Sequence, residues 1–167
     1  MEILAFEGPD GELVIKPTAE EVIALIDPTL GNWLGSSGSA YVGWIELKGT
    51  GYTTNFKRPT LHFIVSGADL VQLLYIKYYY EPGVQDLRLS SFNPTMPENR
   101  LIEHYLGGES NWLPMQSFLS HADAASAIRQ FIATENLPQS VKWRRQIEVT
   151  YEGMTFGEEV NGEDAGT

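Results

Sequence analysis

Apolar and polar residues along this chain mostly alternate or fall into short apolar runs separated by Gly, Pro, Asn and Asp. That is the pattern of strands joined by turns. Residues 3–6 and 12–15 flank Gly8-Pro9-Asp10-Gly11, where proline presets one turn dihedral and glycine accepts a positive one, so an opening hairpin is predicted. Over 41–48, Tyr41, Gly43, Ile45 and Leu47 point one way, and Val42, Trp44, Glu46 and Lys48 the other. Residues 60–66 form the next predicted strand, with Leu61, Phe63 and Val65 on one face and His62 on the opposite one. The apolar run 70–80 fits a buried strand or a buried helix by pattern, and Tyr78, Tyr79 and Tyr80 favour the strand. Further strands are predicted over 86–92, 101–106, 113–119 and 141–151. In 86–92, Leu87, Leu89 and Ser91 oppose Arg88, Ser90 and Phe92, which predicts one wet face. Residues 31–40, 49–59 and 93–99 read as loops, and 107–111 as a turn.

Two segments carry the helical period instead. Thr18 precedes Ala19-Glu20-Glu21 with the spacing of a capping box, Val22, Ile23 and Ile26 follow, and Asp27-Pro28 ends the helix. Ser120 opens the longer helix, Asp123 suits its positive end, and Ala124, Ala125, Ile128, Phe131 and Ile132 form an apolar stripe. That helix is predicted to end near Asn136, which accepts a left-handed cap conformation, ahead of Pro138. The order of elements predicts an α+β fold: a single antiparallel sheet with an N-terminal and a C-terminal helix packed on it. Residues 1–151 read as one domain, and 152–167, with four glycines and an acidic run, as an acidic flexible tail.

At 167 residues and 43% hydrophobic content the chain can build one ordinary core. It has no cysteine, which excludes disulfides, thiolate metal ligands and a cysteine nucleophile. The stretch Met1-Glu2-Ile3-Leu4-Ala5-Phe6-Glu7 lacks the basic start and apolar run of a signal peptide, and no stretch reaches the ~18–20 apolar residues of a membrane span. A cytoplasmic protein without membrane contact is expected. The net charge is −11, and it is unevenly placed: residues 1–30 and 146–167 carry −6 each, while 31–145 carry +1. Such a field disfavours nucleic acid and draws basic partners.

Reactive groups are sparse. His62, His104 and His121 form no paired metal-ligand motif, so neither a metal nor a cofactor is expected. Glu103 and His104 are adjacent and point to opposite faces of a strand, which breaks a local acid–base pair. Gly35-Ser36-Ser37-Gly38 lacks the lysine of a phosphate loop, and neither a dinucleotide fingerprint nor a nucleophile elbow occurs. Lys142, Arg144 and Arg145 surround Trp143; with Trp143 facing the core, the basic residues read as guards of an exposed sheet edge. No catalytic residue is assigned, and a non-enzymatic role is expected.

Trp112-Leu113-Pro114, then the alanine-rich helix from Ser120 to Phe131, then Pro138-Gln139-Ser140-Val141-Lys142-Trp143 resembles the closing motif of a bacterial immunity-protein family of polymorphic toxin systems, the group that includes inhibitors of DNA deaminase toxins. The similarity spans roughly residues 12–145, and the earlier helix, strands and Gly107-Gly108 turn follow the family's order. One departure lies at Thr134-Glu135-Asn136-Leu137, where the family often has a glycine. The resemblance implies that Pro114, Ala125, Phe131, Pro138 and Trp143 are structural. It also implies a function: binding and neutralising a cognate toxin domain, such as a deaminase or nuclease, by blocking its active site. An acidic protein suits a toxin with a basic substrate groove, and aromatic anchors within an acidic rim would supply short-range affinity. Trp44, Tyr79 and Trp112 are the candidate anchors, and Asp86, Glu98, Glu103 and Glu109 the candidate acids. Two alternatives remain: a small-molecule-binding or enzymatic domain with a pocket under the sheet, and a homodimer paired through strand 70–80.

Overall fold

The computed structural model describes residues 1–27, 39–55, 57–66, 70–106, 109–150 and 153–162. It is an α+β fold built on one antiparallel sheet, flanked by an N-terminal and a C-terminal helix. The strands are β1 (Glu2–Glu7), β2 (Leu13–Ile15), β3 (Ser39–Lys48), β4 (Gly51–Thr54), β5 (Thr60–Ser66), β6 (Leu70–Lys77), β7 (Leu87–Phe92), β8 (Leu101–Leu106), β9 (Glu109–Pro114), β10 (Phe118–Ser120), β11 (Lys142–Thr150) and β12 (Gly153–Glu159). The helices are α1 (Ala19–Leu25) and α2 (His121–Thr134). The main sheet runs β12-β11-β7-β6-β5-β3-β1-β2, with β4 paired to β3 beyond β5 and β10 paired to β6 beyond β7. Strands β8 and β9 form a separate two-stranded ribbon.

Both helices start as their sequences direct. The Thr18 hydroxyl accepts from the Glu21 amide while the Glu21 carboxylate accepts from the Thr18 amide, a complete capping box. Ser120 Oγ accepts from the Asp123 amide at 3.1 Å. The helices pack together on one face of the sheet. There Val22, Ile23, Ala124, Ala127, Ile128 and Phe131 meet Phe6, Val42, Leu61, Phe63, Leu73, Tyr75, Leu89 and Trp143 in the main core. The small alanines of α2 allow close approach of the helix to the strands.

The other face is partly covered too. The ribbon between β7 and β10 folds over it, and Leu113 and Ile102 pack on Ile64, Leu70, Leu74 and Phe118. Strand β7 keeps only part of the wet face its alternation predicts: Arg88 is exposed, but Ser90 and Phe92 are buried, with Arg144 of β11 stacked on Phe92 at 4.2 Å and Phe156 of β12 against it at 5.3 Å.

Several expectations are corrected. The predicted tail over 152–167 contains β12, which pairs with β11, and Val160 beyond it is buried and donates its amide to the Trp143 carbonyl at 3.0 Å. Two apolar residues, Phe156 and Val160, anchor a segment whose glycines and acids made it look unstructured. Strand 113–119 is broken by a 3-10 turn at Met115–Ser117 that separates β9 from β10. The loop over 49–59 holds β4, and β9 already begins at Glu109, inside the predicted turn. Of the predicted loop over 31–40, residues 31–38 lie outside the described residues, as does the Gly107-Gly108 turn. Strand β6 is paired on both sides, so it has no free edge for a homodimer. Strand β11 lies between β7 and β12, so its basic residues guard no edge.

The left-handed cap of α2 falls on Glu135 (φ 58°, ψ 8°) rather than Asn136. A non-glycine residue there is strained, and Arg58 offsets the cost. Its guanidinium grips the Glu135 carboxylate, with Nε to Oε2 at 2.9 Å, and also reaches Glu2 at 3.3 Å. The same guanidinium lies 3.4 Å from the centre of the Trp44 ring.

Candidate functional site

The ribbon carries the most promising surface. Its register pairs Leu101 with Pro114, Ile102 with Leu113, Glu103 with Trp112 and His104 with Asn111. Side chains alternate across a strand pair, so once Ile102 and Leu113 face the sheet, Leu101, Glu103, Trp112 and Ser110 face away from it. Trp112 is 41% exposed and Leu101 47% exposed, and Glu103 is exposed directly across from the indole. Ser110 Oγ donates to Glu103 Oε1 at 2.5 Å and fixes the carboxylate on the ribbon. Two half-exposed apolar side chains beside a fixed carboxylate, held on paired backbone, make this outward face the candidate docking surface.

The base of the ribbon is pinned to the body. The Asn93 amide donates to the Gln116 carbonyl, and the Met115 amide to the Arg100 carbonyl, both at 2.7 Å. Gln116 Nε2 donates to the Met96 carbonyl at 3.2 Å. Glu98 lies in this connection, exposed, beside a small hollow bordered by Arg100, Leu101, Pro114 and Phe156. Strand β12 packs beside β9 and adds exposed Glu158 and Glu159 to the same end of the molecule. Strand β12 thus lies beside the strand that carries the exposed indole.

The seven candidate residues therefore divide. Glu98, Glu103 and Trp112 come together on the ribbon and its base, and the backbone of Glu109 lies on the same ribbon opposite Leu106. The other three lie elsewhere. Trp44 is covered by Arg58, and its Nε1 is buried without a partner among the described residues. Tyr79 is half-buried against the main core, and its amide donates to Asp86 Oδ1 at 3.1 Å. Asp86 thereby closes the loop between β6 and β7. Leu101 and Ser110 were not singled out from sequence. Their signal is the register of the hairpin, and the glycine-rich composition of 107–111 conceals it in the sequence.

A second cluster gathers ionisable groups on the sheet face away from the helices. Tyr41 and Tyr52 both donate to Glu7 Oε2, at 2.9 and 2.8 Å, and Tyr41 Oη is 3.1 Å from Thr54 Oγ1. The His62 ring lies 5.4 Å from that of Tyr41, with Nε2 3.0 Å from Thr60 Oγ1. Burial pushes the Tyr41 phenol up to about 12. Burial, helped by the Arg88 charge, pushes His62 down to about 4. A histidine titrating so low is a weak proton acceptor at neutral pH, and Glu7 is already engaged by two phenols. The cluster braces β1, β3, β4 and β5 together.

This arrangement has a pH signature. Unfolded, His62 takes up a proton below its ordinary value of 6.5, whereas folded it does so only near 4. Between those values the unfolded state binds more protons, so stability is flat above 6.5 and falls as pH drops towards 4. Full conversion of the shift is reduced by the ring's residual exposure, leaving about 2 kcal/mol. Urea unfolding of wild type and His62→Gln at pH 7.5, 5.5 and 4.5 checks it: the stability gap should narrow as pH falls, and a constant gap would refute the shift.

Among the described residues no group of three or more His, Asp or Glu is placed to hold a metal ion, and no helix is long and apolar enough to cross a membrane. Comparison with protein-family models finds no match, and comparison with curated proteins finds none.

Proposed function

We propose that this chain is an immunity protein that binds and neutralises a cognate bacterial toxin domain through the outward face of the β8–β9 ribbon. The observation that carries the reading is the exposed Trp112–Leu101 pair with Glu103 across from the indole, in a chain of net charge −11. An exposed indole on rigid backbone loses little conformational freedom on docking and buries a large area, which suits a binding hot spot. The surrounding acids steer a basic surface towards it and raise the association rate. A toxin acting on nucleic acid presents such a surface at its substrate groove, so occupation of that groove would silence it. The similarity of residues 112–143 to the closing motif of the immunity family points the same way.

The test is co-expression with the toxin encoded by the neighbouring reading frame. Growth should be restored and the two proteins should co-purify in a complex that weakens with salt. Continued killing in the presence of folded protein would overturn the reading.

A further inference from the structure

On the opposite side of the molecule, an open groove of about 1030 Å³ runs between the end of β6 and the carboxyl-terminal end of α2. Its volume is near the upper end of small-molecule sites, about 300–1,000 Å³. Tyr75 borders it and is only 2% exposed. Phe131 and Trp143 hold the Tyr75 ring edge-on, with centroids at 6.2 and 6.3 Å. A tyrosine hydroxyl can donate as well as accept, and Tyr75 stands in the wall of the groove.

The groups beside it are donors. Lys77 lies two residues along the same face of β6, with Nζ 5.5 Å from the centre of the Tyr79 ring. Among the described residues no carboxylate lies within ion-pair distance of Lys77. Gln130 Oε1 accepts from the amides of Gln139 and Ser140, which leaves the Gln130 NH₂ as the polar end available to the groove. Glu135 also borders the groove, but its charge is taken by Arg58. Pro59 and Leu137 supply apolar surface.

We propose that this groove binds a small organic anion, with Lys77 balancing its charge, the Tyr75 hydroxyl and Gln130 amide donating to it, and Pro59 and Leu137 packing on its apolar body. Burial, with the neighbouring Tyr79, pushes the Tyr75 phenol up to about 12, so it remains a proton donor at neutral pH. The site is separate from the ribbon, which covers the other face of the sheet, and it stands whether or not the ribbon binds a toxin.

Benzoate, benzamide and benzylamine serve as probes, titrated separately into ¹⁵N-labelled full-length protein and followed by amide chemical shifts. Benzoate should give saturable shifts at Tyr75, Lys77, Gln130 and Asn136 with millimolar affinity, benzamide should bind more weakly, and benzylamine should leave these resonances unmoved. Lys77→Gln should weaken benzoate by about fivefold or more and Tyr75→Phe by about threefold, each with an unchanged dispersion of the remaining amides. No saturable shift with benzoate at about 20 mM would overturn the proposal, as would equal binding by benzylamine or unchanged affinity in folded Lys77→Gln.

Discussion

Trp143→Ala should destabilise the protein by about 4 kcal/mol, enough to remove a large part of the stability of a domain of this size. Trp143 is 2% exposed and among the largest side chains in the core. Its indole Nε1 donates to the Pro138 carbonyl at 2.7 Å, which ties β11 to the turn that follows α2. Its ring meets Tyr75, and its carbonyl accepts from the Val160 amide. Truncation would open a cavity among Tyr75, Leu89 and α2, and would leave the Pro138 carbonyl without its partner. Trp143→Phe keeps most of the volume and loses the hydrogen bond, so it should cost roughly half as much. Urea denaturation read by far-ultraviolet circular dichroism gives both values. If Trp143→Ala cost under about 1 kcal/mol, this residue would not be the structural keystone that the Pro-x-x-Val-x-Trp resemblance implies.

The fold was legible where local chemistry and the global arrangement agree. The Thr18–Glu21 capping box, the Ser120 cap and the alanine stripe of α2 each have a local physical cause, and each is in place. Alternation assigned His62 to the face opposite Leu61 and Phe63 for the same reason. What escaped notice depends on contacts distant in sequence. Strand β12 is acidic and glycine-rich, and only its pairing with β11 and the seating of Phe156 and Val160 hold it. Glu135 takes a left-handed conformation that composition assigns to Asn136, because Arg58, 77 residues away, is there to grip it. The candidate site shows the same division. The exposure of Trp112 and the half-burial of Trp44 both follow from what covers each indole, and neither the ribbon's fold-over nor the Arg58 stack is written in the local pattern. Tyr75 reads as one more residue of an apolar strand until Phe131 and Trp143 close around its ring in the wall of the groove.

Under the proposed function, Trp112→Ala should weaken binding to the toxin domain by about 30- to 100-fold, corresponding to about 2–3 kcal/mol, while leaving the unfolding free energy within about 0.5 kcal/mol. The separation of the two readouts follows from geometry. Trp112 faces away from the sheet, whereas Leu113 beside it is buried against Ile64 and Phe118, so the indole can be removed without disturbing the packing that holds the ribbon down. Glu103→Gln should act differently. It keeps the shape and removes one charge, so the association rate should fall by a fewfold and the salt dependence of that rate should flatten, with little change in dissociation. Leu113→Ala is the complementary control: it should loosen the ribbon and lower both stability and binding. Surface plasmon resonance at two salt concentrations, with the toxin domain immobilised, separates these effects. If folded Trp112→Ala bound within about twofold of wild type, the docking surface would lie elsewhere. Affinity lost in Leu113→Ala alone would then mark the ribbon as a brace for the sheet rather than the part that meets the partner.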